Sequence, residues 1–134
     1  MSRSVLAGIA IFTAWSLIDA VAHRLILGPL YASSANLWRP AAEMSTSLII
    51  AATLILAGVF VASYRALVRP KSLGTALCLG GLLGIALGTS AGLGTYIHSP
   101  IPVALAWGWF ALGSIKGIVA GALLGVLLTE KRAA

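Results

Sequence analysis

The feature that most constrains the fold is an uncharged stretch that runs from Ser72 to Ile115. A helix rises about 1.5 Å per residue, so roughly 20 apolar residues cross a hydrocarbon core about 30 Å thick. The stretch is long enough for two such crossings. Pro100 and Pro102 mark the break between them, because proline lacks the backbone donor that a helix needs. The stretch therefore predicts two membrane helices joined by a tight turn.

Two further apolar runs complete the expected architecture. Met44 to Tyr64 is one span, and Ser4 to about Leu27 is another, although Asp19 lies in its second half. We expect an all-α, integral membrane four-helix bundle that forms a single domain over residues 1–134. The predicted helices cover about 4–27, 41–66, 72–97 and 101–129, and residues 28–40 form an outer interfacial loop.

The composition agrees with a membrane solvent. Hydrophobic residues make up 60% of the chain, charged residues only 9%, and the mean hydropathy is +1.03. Soluble domains carry about a quarter charged residues, so a soluble fold of this length is excluded. The net charge of +6 comes from basic residues that flank the spans rather than form one face. We therefore expect the lipid bilayer as a partner and no nucleic acid.

The distribution of basic residues predicts the orientation. One side of the bundle carries Arg3, Arg65, Arg69, Lys71, Lys131 and Arg132, and the other side carries only Arg24 and Arg39. The positive-inside rule places the N- and C-termini in the cytoplasm. Interfacial residues are then expected on the outer side, namely Tyr31, Trp38, Arg39, Trp107 and Trp109.

Two glycine ladders are the most specific pattern in the chain. The third predicted helix has glycine at every fourth position (Gly80, Gly84, Gly88 and Gly92), and the fourth has the same spacing (Gly113, Gly117, Gly121 and Gly125). Positions four apart share one helix face, so each ladder forms a smooth groove that admits another backbone. The ladders predict packing of these two helices on each other. The alternative is that at least one ladder contacts another copy of the chain or a partner subunit.

Polar side chains are expected to converge near the outer interface. Asp19 and His23 are four apart on the first helix, Glu43 begins the second, and His98 ends the third. Three interpretations remain open. The groups form structural ion pairs and hydrogen bonds, or Asp19, His23, Glu43 and Lys116 form a proton or small-ligand site, or Asp19, His23, Glu43 and His98 hold a transition metal. No cofactor is predicted, and the transition metal is the alternative.

Lys116 is an unusual residue because it lies near the middle of the fourth helix. A lysine at mid-bilayer costs about 2.5–3.5 kcal/mol on insertion, so it needs a partner. Asp19 is the natural one, although residue counting leaves the two roughly 10 Å apart in depth. The side chain of Lys116 tilts toward the outer side and reduces that gap. The pair would fix how the two helices dock, or would form a proton-coupled site.

One segment carries a resemblance. The string His23-Arg24-Leu25-Ile26-Leu27, followed by Tyr31 and by Leu37-Trp38-Arg39-Pro40-Ala41-Ala42-Glu43-Met44, resembles small four-span bacterial membrane proteins. The resemblance is strongest over residues 15–44 and extends to the Pro100-Ile101-Pro102 turn. It implies a four-helix bundle in the bacterial inner membrane, and it implies no activity.

Three classes of function fit these features. The first, which we favour from sequence, is a non-catalytic accessory or interaction subunit that packs through its glycine ladders in a homo-oligomer or a larger membrane complex. The second is a proton- or metal-linked small-ligand binding protein or transporter built on the polar cluster. The third is a membrane enzyme, for which no nucleophile motif, phosphate loop or cofactor motif is present.

Overall fold

The computed structural model describes residues 2–129, which are all-α. Four helices in this range are long and apolar enough to cross a membrane, which confirms the expected all-α fold with four candidate spans. They are α1 (Arg3–Ile26), α2 (Thr46–Leu67), α3 (Leu73–His98) and α4 (Val103–Leu128). Lys131 and Arg132, which contribute to the predicted orientation, lie outside the described residues.

The helix boundaries differ from the prediction mainly at the start of α2. Residues Ala41–Glu43 form a separate 3-10 turn, and α2 begins at Thr46 rather than near residue 41. Ser45 is the N-cap of α2, because its side chain accepts a hydrogen bond from the Leu48 N–H at 3.3 Å. The prediction that Glu43 begins α2 is therefore wrong.

Two of the membrane helices contain a wider π-helical turn. In α1 the turn covers Ala22–Ile26, and in α3 it covers Thr89–Gly94. A π turn inserts one extra residue, rotates the helix face that follows, and often occurs at functional sites. Each turn contributes one residue, His23 or Ala91, to the same cavity. The two irregularities therefore flank one site.

The glycine ladders face each other along most of the length of α3 and α4. A Cβ added to Gly84 would lie 2.8 Å from the Gly117 Cα, and one added to Gly117 would overlap the Gly80 carbonyl oxygen. The other six glycines are in similarly close contact with backbone atoms of the opposite helix. The ladders thus pack within one chain, and they do not form the exposed grooves that a partner interface would require.

Helix α2 packs mainly on α1. Its inner half contributes Phe60 and Tyr64 to a core that also contains Ile11, Trp15 and Leu124. The Tyr64 hydroxyl donates to the Ser72 carbonyl at 3.0 Å, which joins the helix to the connection that follows it. Residues 41–52 are all exposed, and α2 contacts α3 only slightly. A gap therefore remains between α2 and α3 in the half of the bundle where α2 begins.

The outer loop covers the end of the bundle where α4 begins. Leu27 lies in a buried cluster with Ile101, Leu105 and Ala106, and the side chains of Tyr31 and Trp38 pack against it. The loop therefore lies on the helices, as its apolar sequence suggests, rather than extending into water. This packing brings Tyr31 toward the polar residues of α1.

Candidate functional site

An ion pair joins the first and last helices. Lys116 Nζ donates to Asp19 Oδ2 at 2.7 Å, and the two side chains are 19% and 29% exposed. Residue counting leaves a gap in depth between these residues, and the long lysine side chain spans it. Among the described residues, Lys116 is the only lysine and Asp19 the only carboxylate within the four candidate spans, and the ion pair joins them. The expected contact between Asp19 and Lys116 is therefore present.

Trp15 supports this pair from one turn below Asp19. Its indole Nε1–H donates to the Lys116 carbonyl at 2.8 Å, and Lys116 Nζ lies 5.0 Å from the centre of its ring. A cation over an aromatic face is stabilised by the ring quadrupole. Trp15 itself is only 1% exposed and packs edge-on against Phe60. The ammonium of Lys116 is thus held in position by a carboxylate and by an aromatic ring.

A second hydrogen-bonded group connects α1 to the outer loop and to α4. Tyr31 Oη lies 2.7 Å from His23 Nδ1, and Trp109 Nε1 donates to the same oxygen at 2.6 Å. Because the indole is a donor only, the Tyr31 hydrogen is left to point toward His23. This arrangement favours the imidazole tautomer with its proton on Nε2. Burial raises the pKa of Tyr31, with a contribution from the charge of Asp19 and an opposing one from the Trp109 hydrogen bond.

The second carboxylate oxygen of Asp19 has no hydrogen-bond partner. Oδ1 is buried, and His23 Nε2 lies 4.0 Å away, which is too far for a hydrogen bond. It is the one buried and unpartnered side-chain oxygen or nitrogen within residues 2–129. Buried polar atoms in proteins are almost always paired, and an exception indicates strain, a functional role or an occupant.

These groups line a cavity of about 290 Å³ between the four helices. Asp19, His23 and Lys116 are its ionisable residues, and the remaining walls are mostly apolar or aromatic: Trp15, Leu56, Phe60, Leu87, Ala91, Trp109, Leu112, Gly113 and Gly117. The volume corresponds to about ten water-sized groups, taking roughly 30 Å³ for each. Leu87 and Ala91 are exposed on the outside of α3, beside the gap that separates it from α2. The cavity therefore reaches the outer surface of the helix bundle.

Glu43 and His98 do not join this site. Both are exposed, neither lines the cavity, and no three His, Cys, Asp or Glu side chains between residues 2 and 129 come close enough to hold a metal ion. The expected convergence of four groups is therefore wrong for these two. The reason is local, because Glu43 lies in the turn before the Ser45 cap and His98 is the last residue of α3.

Two parts of the site were not predicted from the sequence: the hydrogen bonds of Tyr31 and Trp109, and the wall that α2 contributes. Tyr31 and Trp109 were expected only at the outer interface, whereas Trp109 Nε1 donates to the Tyr31 hydroxyl, which is hydrogen-bonded to His23. Phe60 and Leu56 of α2 gave no signal, because they are ordinary apolar residues in an apolar helix. The four-residue spacing of Trp15, Asp19 and His23 was the available signal, since it places all three on one face of α1.

No family model, no curated protein and no solved structure matches the chain.

Proposed function

We propose that this chain is a membrane protein that binds a small amphiphilic molecule in the cavity around Asp19. The observation that carries the proposal is the apolar cavity that Asp19, His23 and Lys116 line, together with the buried Oδ1 atom of Asp19, which lacks a hydrogen-bond partner. Apolar pockets with a few convergent polar groups are the usual form of small-molecule sites. The ligand class follows from the walls: an apolar body with one hydroxyl or other hydrogen-bond donor.

The lateral gap supports entry from the bilayer. The cavity reaches the surface beside Leu87 and Ala91 of α3, where α2 scarcely contacts that helix. The outer loop and Trp109 lie over the other end, with Tyr31 held between His23 and Trp109. A ligand dissolved in the membrane can therefore reach Asp19 without crossing the loop.

Tryptophan quenching by a brominated probe tests this proposal. We would titrate the detergent-solubilised protein with 6-bromohexan-1-ol and with 1-bromohexane, which lacks the hydroxyl donor. Because Trp15 is buried and lines the cavity, we expect the alcohol to quench saturably and the bromoalkane to produce only the non-saturable quenching of micelle partitioning.

Two variants locate the binding. Ala91→Phe fills the cavity from α3 without changing a polar group, and we expect it to abolish saturable quenching. Ala86→Phe places the same ring at an exposed position of the same helix outside the cavity, and we expect no change. Equal quenching by the two probes, or unchanged quenching in Ala91→Phe, would contradict the proposal.

A second candidate is the accessory or interaction subunit, as a homo-oligomer or in a larger membrane complex. The observation that favours it is the outer half of α2, whose residues through Ala52 have no buried face. We would place a photo-crosslinking residue at Leu48, which is 71% exposed, and a control at Leu82 of α3, which is 64% exposed. The subunit hypothesis predicts a discrete adduct only from position 48, and its mass separates a second copy from another protein. Equal or absent crosslinking at the two positions would count against it.

We also propose that the termini face the cytoplasm of a bacterial inner membrane. Arg65, Arg69 and Lys71 lie at the end of the bundle where α1 begins, and Arg24 and Arg39 lie at the other end. The bacterial location rests on the resemblance of residues 15–44. In a Cys78→Ser background, a membrane-impermeant maleimide should label Asn36→Cys in intact spheroplasts and should label Ala66→Cys only after lysis. The reverse pattern would invert the topology.

A further inference from the structure

A groove on the outside of the α1–α2 pair carries an inference that is independent of the Asp19 cavity. The groove has a volume of about 390 Å³ and lies in the half of the bundle where α1 begins. Its walls are small or aliphatic side chains from both helices, and its two polar residues are Ser4 and Arg65. These two lie at the same end, because α1 starts at Arg3 and α2 ends at Leu67.

The two glycines of the groove do not serve helix packing. A Cβ added to Gly8 or to Gly58 would meet no atom within 4 Å, in contrast to the ladder glycines of α3 and α4. The absence of side chains at these two positions therefore leaves open space on the lipid side of the bundle. The groove extends along α2 from Leu54 to Arg65, which is about 16 Å at 1.5 Å per residue. That length is roughly half of the hydrocarbon core, the depth of one leaflet.

The charge at the polar end identifies the occupant. Arg65 lies at the mouth of the groove, and Arg3, Arg69 and Lys71 belong to the same end of the bundle. The acidic residues among residues 2–129 are Asp19 and Glu43, and neither lines the groove. A guanidinium binds phosphate oxygens through two parallel hydrogen bonds, and basic residues at a membrane surface attract anionic lipid headgroups.

We propose that this groove binds one acyl chain of an anionic phospholipid, with its phosphate on Arg65. The apolar walls accept the chain over the depth of one leaflet, and the arginine selects the headgroup. Free phosphate shares only the arginine contact and does not fill the groove. A zwitterionic phospholipid fits the groove but gains less from the surrounding basic residues.

Native mass spectrometry of the full chain tests the proposal. The delipidated protein would be exchanged into micelles that contain dioleoylphosphatidylglycerol or dioleoylphosphatidylcholine, and retained lipid would be counted. We expect one phosphatidylglycerol to be retained at least fivefold more strongly than phosphatidylcholine. Equal retention of the two lipids would overturn the assigned headgroup.

Two pairs of variants locate the lipid. Arg65→Gln should reduce retention of phosphatidylglycerol at least fivefold, whereas Arg24→Gln, which removes an exposed arginine at the other end, should leave it unchanged. Gly58→Leu should displace the acyl chain and so reduce retention of phosphatidylglycerol. Gly81→Leu, which changes a glycine with equally open surroundings on α3, should not reduce it. Retention that survives both Arg65→Gln and Gly58→Leu would overturn the proposal. Circular dichroism tests that each variant keeps its helices. Inorganic phosphate, added as a competitor, should not displace the lipid, because the acyl chain contributes to binding.

Discussion

Lys116 Nζ lies 2.7 Å from Asp19 Oδ2, so an ion pair joins the middle of α4 to the second half of α1. Both charges lie in helices that are long and apolar enough to cross a membrane, and inside a bilayer an isolated charge costs about 2.5–3.5 kcal/mol. The contact compensates each charge with the other, and it orients one oxygen of Asp19 toward Lys116 while the other remains unpartnered. The ion pair and the candidate binding site therefore share both Asp19 and Lys116.

Breaking the ion pair should destabilise the fold. Asp19→Asn leaves the lysine charge unpaired, and Lys116→Gln leaves the carboxylate unpaired, so we expect each to lower the free energy of unfolding by about 3 kcal/mol. The double variant should lose less than the sum, with a coupling energy of about 1–3 kcal/mol. Unfolding by SDS in mixed micelles, followed by circular dichroism, measures these values. Arg24→Gln is the control, and additive single effects would contradict direct pairing.

Adding a methyl group between α3 and α4 should separate the two helices. A Cβ on Gly84 or Gly117 would lie within 3 Å of backbone atoms of the opposite helix, so neither contact can relax by a side-chain rotation. We expect Gly84→Ala and Gly117→Ala each to lower the free energy of unfolding by about 1–3 kcal/mol. The matched control is Gly81→Ala, which meets open space and should gain up to about 1 kcal/mol from helix propensity. Equal stability of the three variants would show that the ladders do not pack as described.

Removing the Tyr31 hydroxyl should loosen the outer loop. In Tyr31→Phe, Trp109 Nε1 loses its acceptor and His23 Nδ1 loses its partner, which should cost about 1–3 kcal/mol. Limited proteolysis within Gly28–Arg39 measures the effect, and we expect faster cleavage than in the wild type. The control is Tyr96→Phe, which changes an exposed tyrosine. Identical cleavage of the two variants would argue against a role for the hydroxyl in holding the loop.

The ionisation of Tyr31 should be shifted to higher pH. Burial raises its pKa above the ordinary 10.0, so the fold favours the neutral hydroxyl. Its contribution to stability is therefore complete below pH 10 and is lost as the pH rises through the higher pKa of the folded state. The difference in tyrosinate absorbance between the wild type and Tyr31→Phe isolates this titration. A midpoint at or below 10.0 would contradict the burial described here.

Glu43 and His98 should have no role in metal binding. Both are exposed and remote from the cavity, so Glu43→Ala and His98→Ala should change the free energy of unfolding by less than about 0.5 kcal/mol. Zinc ions should stabilise the wild type no more than they stabilise the double variant. Thermal unfolding with zinc and with a chelator measures this difference. A zinc-dependent stabilisation that disappears in the double variant would restore the four-residue metal site.

The number of helices and the packing of α3 on α4 could be predicted because both depend on local regularities. Apolar length determines which segments cross a membrane, and the four-residue spacing of the ladder glycines places them on one face whatever the rest of the chain does. The contact of Lys116 with Asp19 could be predicted from the sequence for a related reason. A lone lysine in a membrane helix requires a carboxylate within reach, and α1 offers only Asp19.

The composition of the site was decided by the tertiary structure. Residue counting along straight helices put Glu43 and His98 at the depth of His23. It could not show how each helix is rotated about its axis, or that a turn separates Glu43 from α2. Nor could it show that the outer loop folds back and brings Tyr31 to His23 and Trp109. Depth follows from position along one helix, whereas contact depends on the rotation and packing of several. For that reason the amino-acid sequence alone determined a bundle of four helices long and apolar enough to span a membrane, and only the packed structure determined which of its polar groups meet.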